Sequence, residues 1–317
     1  MKDEIKTFSN QIEEALALSK DIEIETENLE NIIIDGMGAS SIAGDIFRNL
    51  YQGPIGVFVN RNSQLPPVAN EASLLVSISY SGETEETIDT LEEALKQDLA
   101  ILAITTGGRL GKICSKKDIP YCKIPAKLEP RSAIGYLSFI LLGIMENSSL
   151  LPNVRKDAKN LIETLSDPEM QFEEAGKQIA KLLKNKIPLI YSPYNYSALS
   201  YRWKTQINEN AKQLAFANVF PEIFHNEIEG LLLSPSSLHI ILIKDPESPK
   251  KILTQMIKFK KLLEKINVSY SEIEMIGNSP LEKMFLTIHL GDWVSYYLGL
   301  LNKVDTKKVE LIGWMKK

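Results

Sequence analysis

Two short stretches carry the residue types that hold an anion without lysine. In "SISYSGETEET" (77–87), Ser79, Ser81 and Thr84 place three hydroxyls around one turn, and Gly82 lets backbone approach closely. A helix starting there presents N–H groups and the positive end of its dipole, which suits a dianion such as phosphate. "NIIIDGMGASSIAGD" (31–45) has the same character: an apolar run stops at Asp35, and glycine, alanine and serine follow before apolar spacing resumes. Capping alone also fits Ser81 or Thr84, with Glu85 and Glu86 complementing the dipole of the new helix. Two such turns after two strands of one sheet favour the anion site.

The pattern is not that of a nucleotide site. "GMGASS" supplies G-x-G, but the third glycine of G-x-G-x-x-G falls on Ser41, and "VFVNRN" stands where an acidic ribose ligand is needed. No G-x-x-x-x-G-K-[ST] occurs.

The elements that must position these turns are legible as alternating runs. Residues 3–20 have helical spacing, with Ile5, Phe8, Ile12, Ala15 and Leu16 on one face. Strand-length apolar runs follow at 32–34, 55–59, 74–79, 100–105 and 121–125, with helical patterns at 41–51 and 84–97 between them. This alternation predicts right-handed βαβ crossovers and a parallel sheet flanked by helices on both faces. The segment 133–148 reads as a buried helix, and a charged helical connector comes next. The pattern then restarts: a strand, polar turn and long helix over 187–212, a strand at 237–245 with its helix, a strand at 268–275 and a helix at 279–302. The expectation is an α/β chain of two flavodoxin-like halves, 1–152 and 153–317, with ligands beyond the carboxyl ends of the strands.

Composition narrows the partners. With 36 basic and 41 acidic residues in 317, the net charge of −5 gives no field for nucleic acid. No apolar stretch reaches the roughly 18 residues of a membrane span. The opening segment is charged throughout without a signal-peptide apolar region, so a cytoplasmic location is expected. Cys114 and Cys122 are the only cysteines, and His225, His239 and His289 the only histidines, so neither a metal centre, a cofactor nor a disulfide framework is expected.

"GMGASSIAGD" and "SYSGETEET" resemble the paired sugar-phosphate loops of the sugar isomerase (SIS) domain. "PRSAIGY" (130–136), "NENAKQLAFANVFPEIFHNEIEG" (208–230) and the lysine-ended tail resemble one branch, the bifunctional phosphoglucose/phosphomannose isomerases, found mostly in archaea. The resemblance spans nearly the whole chain. It implies two SIS-type halves and reversible, metal-independent interconversion of glucose 6-phosphate or mannose 6-phosphate with fructose 6-phosphate. It also implies a homodimer.

By motif, the resemblance assigns Gly38, Ala39 and Ser40 to the first phosphate loop and Ser79, Ser81 and Thr84 to the second. It assigns Arg131 to the guanidinium beside the reacting carbons, Glu209 to the base, and His225 to ring opening, supplied across the dimer interface in the wider family. The ring-opening lysine falls on Lys316, with Lys317 as the competing register. Ala39 stands where a second glycine is usual, Glu83 where asparagine is common, and Asp305-Thr306 where Asp-Pro is usual.

The chemistry suits these types. Carrying a proton between C1 and C2 through a cis-enediol needs a partly desolvated carboxylate. Glu209 is one of 41 acidic residues, most of them surface charges, but Asn208 and Asn210 flank it and offer groups to orient it. Arg131 follows Pro130 at a turn, where a permanently charged guanidinium can stabilise an enediolate or simply brace a loop. His225 lies in a polar segment, whereas His239 and His289 lie in apolar ones. Two other readings share the serine loops: a sugar-phosphate sensor, which needs no Glu-Arg-His set, and an amino-sugar phosphate isomerase or deaminase relative.

Overall fold

The computed structural model describes residues 1–234 and 236–315. The chain divides into two compact units: Lys6–Ile162, and Met1–Ile5 with Glu163–Lys317.

After α1 (Lys2–Lys6), the first unit runs α2 (Phe8–Leu18), β1 (Asn31–Asp35), α3 (Ala39–Leu50), β2 (Gly56–Asn60), β3 (Ser73–Ser79) and α4 (Glu85–Lys96). It continues with β4 (Ala100–Thr105), α5 (Gly108–Lys117), β5 (Tyr121–Lys123) and α6 (Ile134–Asn147), and the division falls within α7 (Val154–Ser166). The strands form a parallel sheet of order β2-β1-β3-β4-β5. β1 and β3 are buried along their whole length, which is why they read as continuous apolar runs. On one face Ile33 and Leu75 pack with Ile88 and Leu91 of α4. On the other, α3 comes so close that a Cβ on Gly44 would lie 2.7 Å from Ile34 Cγ2. Helix α6 is buried on nearly every side, and α2 lies against it, with Gln11 packed on Gly135.

The second unit runs α8 (Phe172–Leu183), β6 (Ile187–Pro193), α9 (Ser197–Ala211), β7 (Phe216–Phe220), α10 (Glu227–Gly230), β8 (Leu238–Lys244), α11 (Lys250–Lys265), β9 (Ser269–Glu274), α12 (Pro280–Leu301) and α13 (Glu310–Met315). Its parallel sheet has the order β7-β6-β8-β9. Tyr191, Phe220, Ile240, Leu242, Phe259 and Leu263 centre its core. Ser279 caps α12 by accepting from the Glu282 N–H, with Pro280 at the first helical position. Glycines let α12 approach its neighbours: a Cβ on Gly291 would lie 2.4 Å from Trp203 Nε1, and one on Gly176 2.5 Å from Trp293 Cβ.

Two details differ from the sequence expectation. The N-terminal helical pattern breaks at Thr7 into α1 and α2. The second sheet also has a strand, β7, that the apolar runs did not reveal. "FANVF" is an edge strand with Phe216 51% exposed, so it lacks the buried run that marks β1 or β3.

Candidate active site

At the end of β1 the chain turns through Gly36, Met37 and Gly38. A Cβ on Gly36 would sit 2.7 Å from the Ile78 carbonyl oxygen, and Gly38 has φ +56°. Both positions therefore demand bare backbone. Gly38 is the N-cap of α3 and offers no side-chain cap, so the first turn of that helix, with Ala39 and buried Ser40, has no side-chain support for its N–H groups, the Ser40 N–H donating to the Met37 carbonyl at 3.1 Å. The Ser41 hydroxyl donates to the Gly38 carbonyl at 2.9 Å and accepts from Arg61 Nε at 3.0 Å. Arg61 is also paired with Asp45, which holds Arg48 at 2.8 Å.

The β3 turn is built from hydroxyls. Ser79 Oγ lies 2.9 Å from Thr84 Oγ1 and accepts from the Gly82 N–H, while Ser81 Oγ accepts from the Glu83 N–H. Gly82 has φ +68°, and a Cβ there would fall 1.9 Å from the Gly107 carbonyl oxygen. Thr84 occupies the N-cap of α4, yet its side chain makes no capping bond and turns to Ser79 instead. The first turn of α4 is thus uncapped by side chains, as in α3. Glu83 is exposed and accepts from the Arg109 N–H at 3.0 Å, which directs its charge to the start of α5.

Arg131 is 4% exposed on the 3-10 turn Pro130–Ser132, with the Glu129 carboxylate 3.5 Å from its guanidinium. Gln11 of α2 fixes that turn by donating to the Ser132 carbonyl. The preceding segment is tied to the β3 turn: the Tyr80 hydroxyl donates to the Pro125 carbonyl and accepts from the Leu128 N–H. The first unit therefore gathers both glycine-serine turns and anchors the approach to Arg131.

In the second unit Glu209 sits half-buried in the last turn of α9. It lines a cavity of about 520 Å³ together with Lys212, Asp305, Lys308 and Leu311. Lys212 ends the helix in the left-handed region, and its ammonium donates to the carbonyls of Glu209 and Asp305, both at 2.7 Å. Asn208 and Asn210, expected to orient the carboxylate, hold the helix end: Asn208 accepts from the Ala215 N–H and Asn210 donates to the Ser295 hydroxyl. Beneath them Asp292 takes Arg202 at 3.2 Å and Gln206 at 2.6 Å, fastening α9 to α12. Burial pushes Asp292 above the usual carboxylate range, against the pull of Arg202 and Gln206.

His225 closes the 3-10 turn Glu222–His225 and is exposed, while Ile223 of the same turn is buried in the core. His239 bridges the Ser269 and Ser271 hydroxyls, and His289 accepts from Trp293 Nε1. Lys316 and Lys317 lie outside the described residues. No described helix is long and apolar enough to cross a membrane. Among the described residues no cluster of three His, Cys, Asp or Glu is placed to hold a metal.

Across its full length the chain is 34% identical to a bifunctional phosphoglucose/phosphomannose isomerase of Caldicellulosiruptor bescii, covering 98% of that protein. It is 33% identical to one of Thermoplasma acidophilum over 99% of this chain and 96% of the relative. This chain belongs to the bifunctional phosphoglucose/phosphomannose isomerase family. As a member of that family it is an isomerase. Residues 172–317 match the bacterial phospho-glucose isomerase C-terminal SIS domain. In fold it is similar to tagatose-6-phosphate ketose/aldose isomerase from Escherichia coli, with TM-score 0.73 at 17% identity over 97% of this chain and 94% of that one.

Sequence reasoning did not single out Asp35 as a functional group. It ends β1 just before Gly36, and burial pushes its carboxyl up to about 7. An acidic residue inside an otherwise apolar buried run was the available signal.

Proposed function

We propose that the chain interconverts glucose 6-phosphate and mannose 6-phosphate with fructose 6-phosphate in the cytoplasm, by metal-independent proton transfer through a cis-enediol(ate). One observation carries the substrate class. Two adjacent inner strands of the first sheet, β1 and β3, end in turns of glycine and hydroxyl residues, and each turn leads into a helix without a side-chain cap. Gly38, Ala39 and Ser40, with Ser79, Ser81 and Thr84, bind the phosphate through backbone N–H groups, hydroxyls and helix dipoles.

Glu209 carries the proton between C1 and C2, and the cavity at its side supports that role. Arg131 stabilises the developing enediolate charge, His225 and Lys316 assist ring opening, and the working form is a homodimer with His225 supplied by the partner. The exposure of His225 on a turn anchored by buried Ile223 supports the last point. Whole-length identity to relatives of dual name supports acceptance of both aldoses.

Incubation of the protein with fructose 6-phosphate in the presence of EDTA tests this reading. Both glucose 6-phosphate and mannose 6-phosphate are expected. Binding without turnover would establish a sensor instead, and a single aldose would remove the dual specificity. Mixing Glu209→Gln and His225→Ala proteins tests the shared site: re-formed dimers should regain about a quarter of the sites, whereas no regain places His225 outside the partner's site.

A further inference from the structure

β1 delivers a carboxyl group to the base of both turns. Asp35 is 1% exposed; its Oδ1 accepts from Asn60 Nδ2 at 2.9 Å, and its Oδ2 has no hydrogen-bond partner among the described residues. Ser77 of β3 is its register partner, and side-chain alternation puts both on the face covered by α4, two residues beyond Ile33 and Leu75. Thr87, in the first turn of α4, is fully buried. The Ser77 and Thr87 hydroxyls also lack partners among the described residues. Three such atoms at one locus call for an explanation, because buried polar groups are nearly always paired.

The Ser77 and Thr87 hydroxyls are donors as well as acceptors, so either can turn to the Asp35 carboxylate, and Thr87 holds its pKa down in that way. Burial raises the Asp35 pKa to about 7, while Asn60, Thr90 and Thr87 pull it down and Glu86 adds to the rise. The other charges of α4 are Glu85, Asp89, Glu92, Glu93 and Lys96, and none of them enters among the causes of that shift. On the β2 side Asn60 is followed by Arg61, which is engaged with Asp45 and Ser41 of α3 on the opposite face. β3 contributes the uncharged Ser77.

We propose that Asp35 is a proton-coupled positioning residue of the anion cradle. Its carboxyl takes a proton from solvent as a dianion seats in the turns at 36–40 and 79–84. The coupling follows from charge. A buried carboxylate and a bound dianion compete for the same helix dipoles and repel one another across a low-dielectric core. Protonation removes the repulsion. This inference rests on the phosphate-cradle reading given above.

Sulfate is the suitable probe, because it stays dianionic throughout and any pH dependence belongs to the protein. Calorimetric titration between about pH 6 and 9 in buffers of different ionisation heat counts protons. The wild-type protein is expected to take up close to one proton per sulfate near pH 8. Its affinity should fall above pH 7 with a slope approaching tenfold per pH unit, as a site titrating near 7 requires. Asp35→Asn should bind sulfate with a flat profile over that range and no uptake. Thr87→Val, which removes a hydroxyl that holds the Asp35 pKa down, should leave more of the free protein protonated near pH 8 and so lower the proton count there, and it serves if the Asn variant does not fold. Unchanged proton uptake in the variants, or none in the wild type, overturns the proposal while leaving the cradle intact. Absence of both sulfate and fructose 6-phosphate binding at every pH overturns the cradle reading itself, and the proposal with it.

Discussion

The two sheets share one winding and put different chemistry at the same place in it. In each, the first strand is central, the second lies to one side and the third to the other, so β6 and β8 correspond to β1 and β3. The crevice beyond the carboxyl ends of such a strand pair is where open α/β sheets take ligands. At β1 and β3 it is made of Gly36, Gly38, Gly82 and serine hydroxyls around two helix starts without side-chain caps. At β6 and β8 the corresponding turns are "PYNYS" and "DPESP", and α12 sends in a lysine. Lys283, 2% exposed, reaches Asp245 at 2.8 Å and Glu247 at 2.7 Å, and the Tyr196 hydroxyl donates to the other Asp245 oxygen. Burial pulls the Lys283 pKa down, but the two carboxylates outweigh it and leave it raised. One crevice is lined by glycine backbone and hydroxyls and the other is filled by an internal ion pair. Topology thus locates a candidate site without furnishing it.

The largest effect expected from breaking this contrast is on chemistry. Glu209→Gln should lower kcat by about 10²- to 10⁴-fold, with sulfate affinity unchanged, because the turns proposed to hold the anion belong to the other unit. Retained activity in this variant would remove Glu209 from the mechanism. Next comes Lys283→Met, which leaves Asp245 buried without its cation. The Glu247 arm counts for little, since that side chain is 76% exposed. Loss of the Asp245 arm should cost about 3–5 kcal/mol in urea unfolding. A change below 1 kcal/mol would mean the pair is not a structural plug.

Replacing Ser81 and Thr84 together by alanine is the complementary case. Each hydroxyl given to a charged phosphate is worth about 1.5–3 kcal/mol, so loss of both should raise KM by about 10²- to 10⁴-fold. Stability should change by less than about 1 kcal/mol, because neither side chain makes a capping bond to α4. Stability loss with an unchanged KM would reverse the assignment and make the turn a structural one.

The first of these regions was far more readable in the sequence than the second. β1, β3 and β4 announce themselves because both their faces are covered, and Gly38 and Gly82 stand where only glycine accepts the backbone. β7 was hidden by its exposed edge, with Leu214 and Phe216 facing solvent between the left-handed Lys212 and Pro221. Glu209 has the same local chemistry as dozens of surface acids, and only the likeness of "NEN" to the family motif drew it out. Lys283 and Asp245 are 38 residues apart, and no local pattern signals that they meet. Asp35 was in plain view, but its meaning depends on Asn60 and Thr87, brought there by the winding of the sheet.

The smallest expected effect sets one buried titrating group of each unit against the other. Burial raises Asp35 from 3.8 to about 7, so between those values the folded chain holds a proton that the unfolded chain has lost. Its contribution to stability is present at low pH and declines as pH rises toward 7. Burial lowers His289 from 6.5 to about 4, so in that window the unfolded chain binds the proton and the folded chain does not. Its contribution is present above 6.5 and declines as pH falls. Between about pH 4.5 and 6.5 the two slopes oppose one another, each limited to about 1.4 kcal/mol per pH unit. Relative to the wild type, Asp35→Asn should therefore gain stability with rising pH across this window, and His289→Gln should lose it. Urea unfolding of the three proteins at a series of pH values measures both differences. Variant curves running parallel to the wild type would show that neither group keeps its buried protonation state, and the contrast between an acid beneath the glycine-lined crevice and a neutral imidazole in the other core would fall.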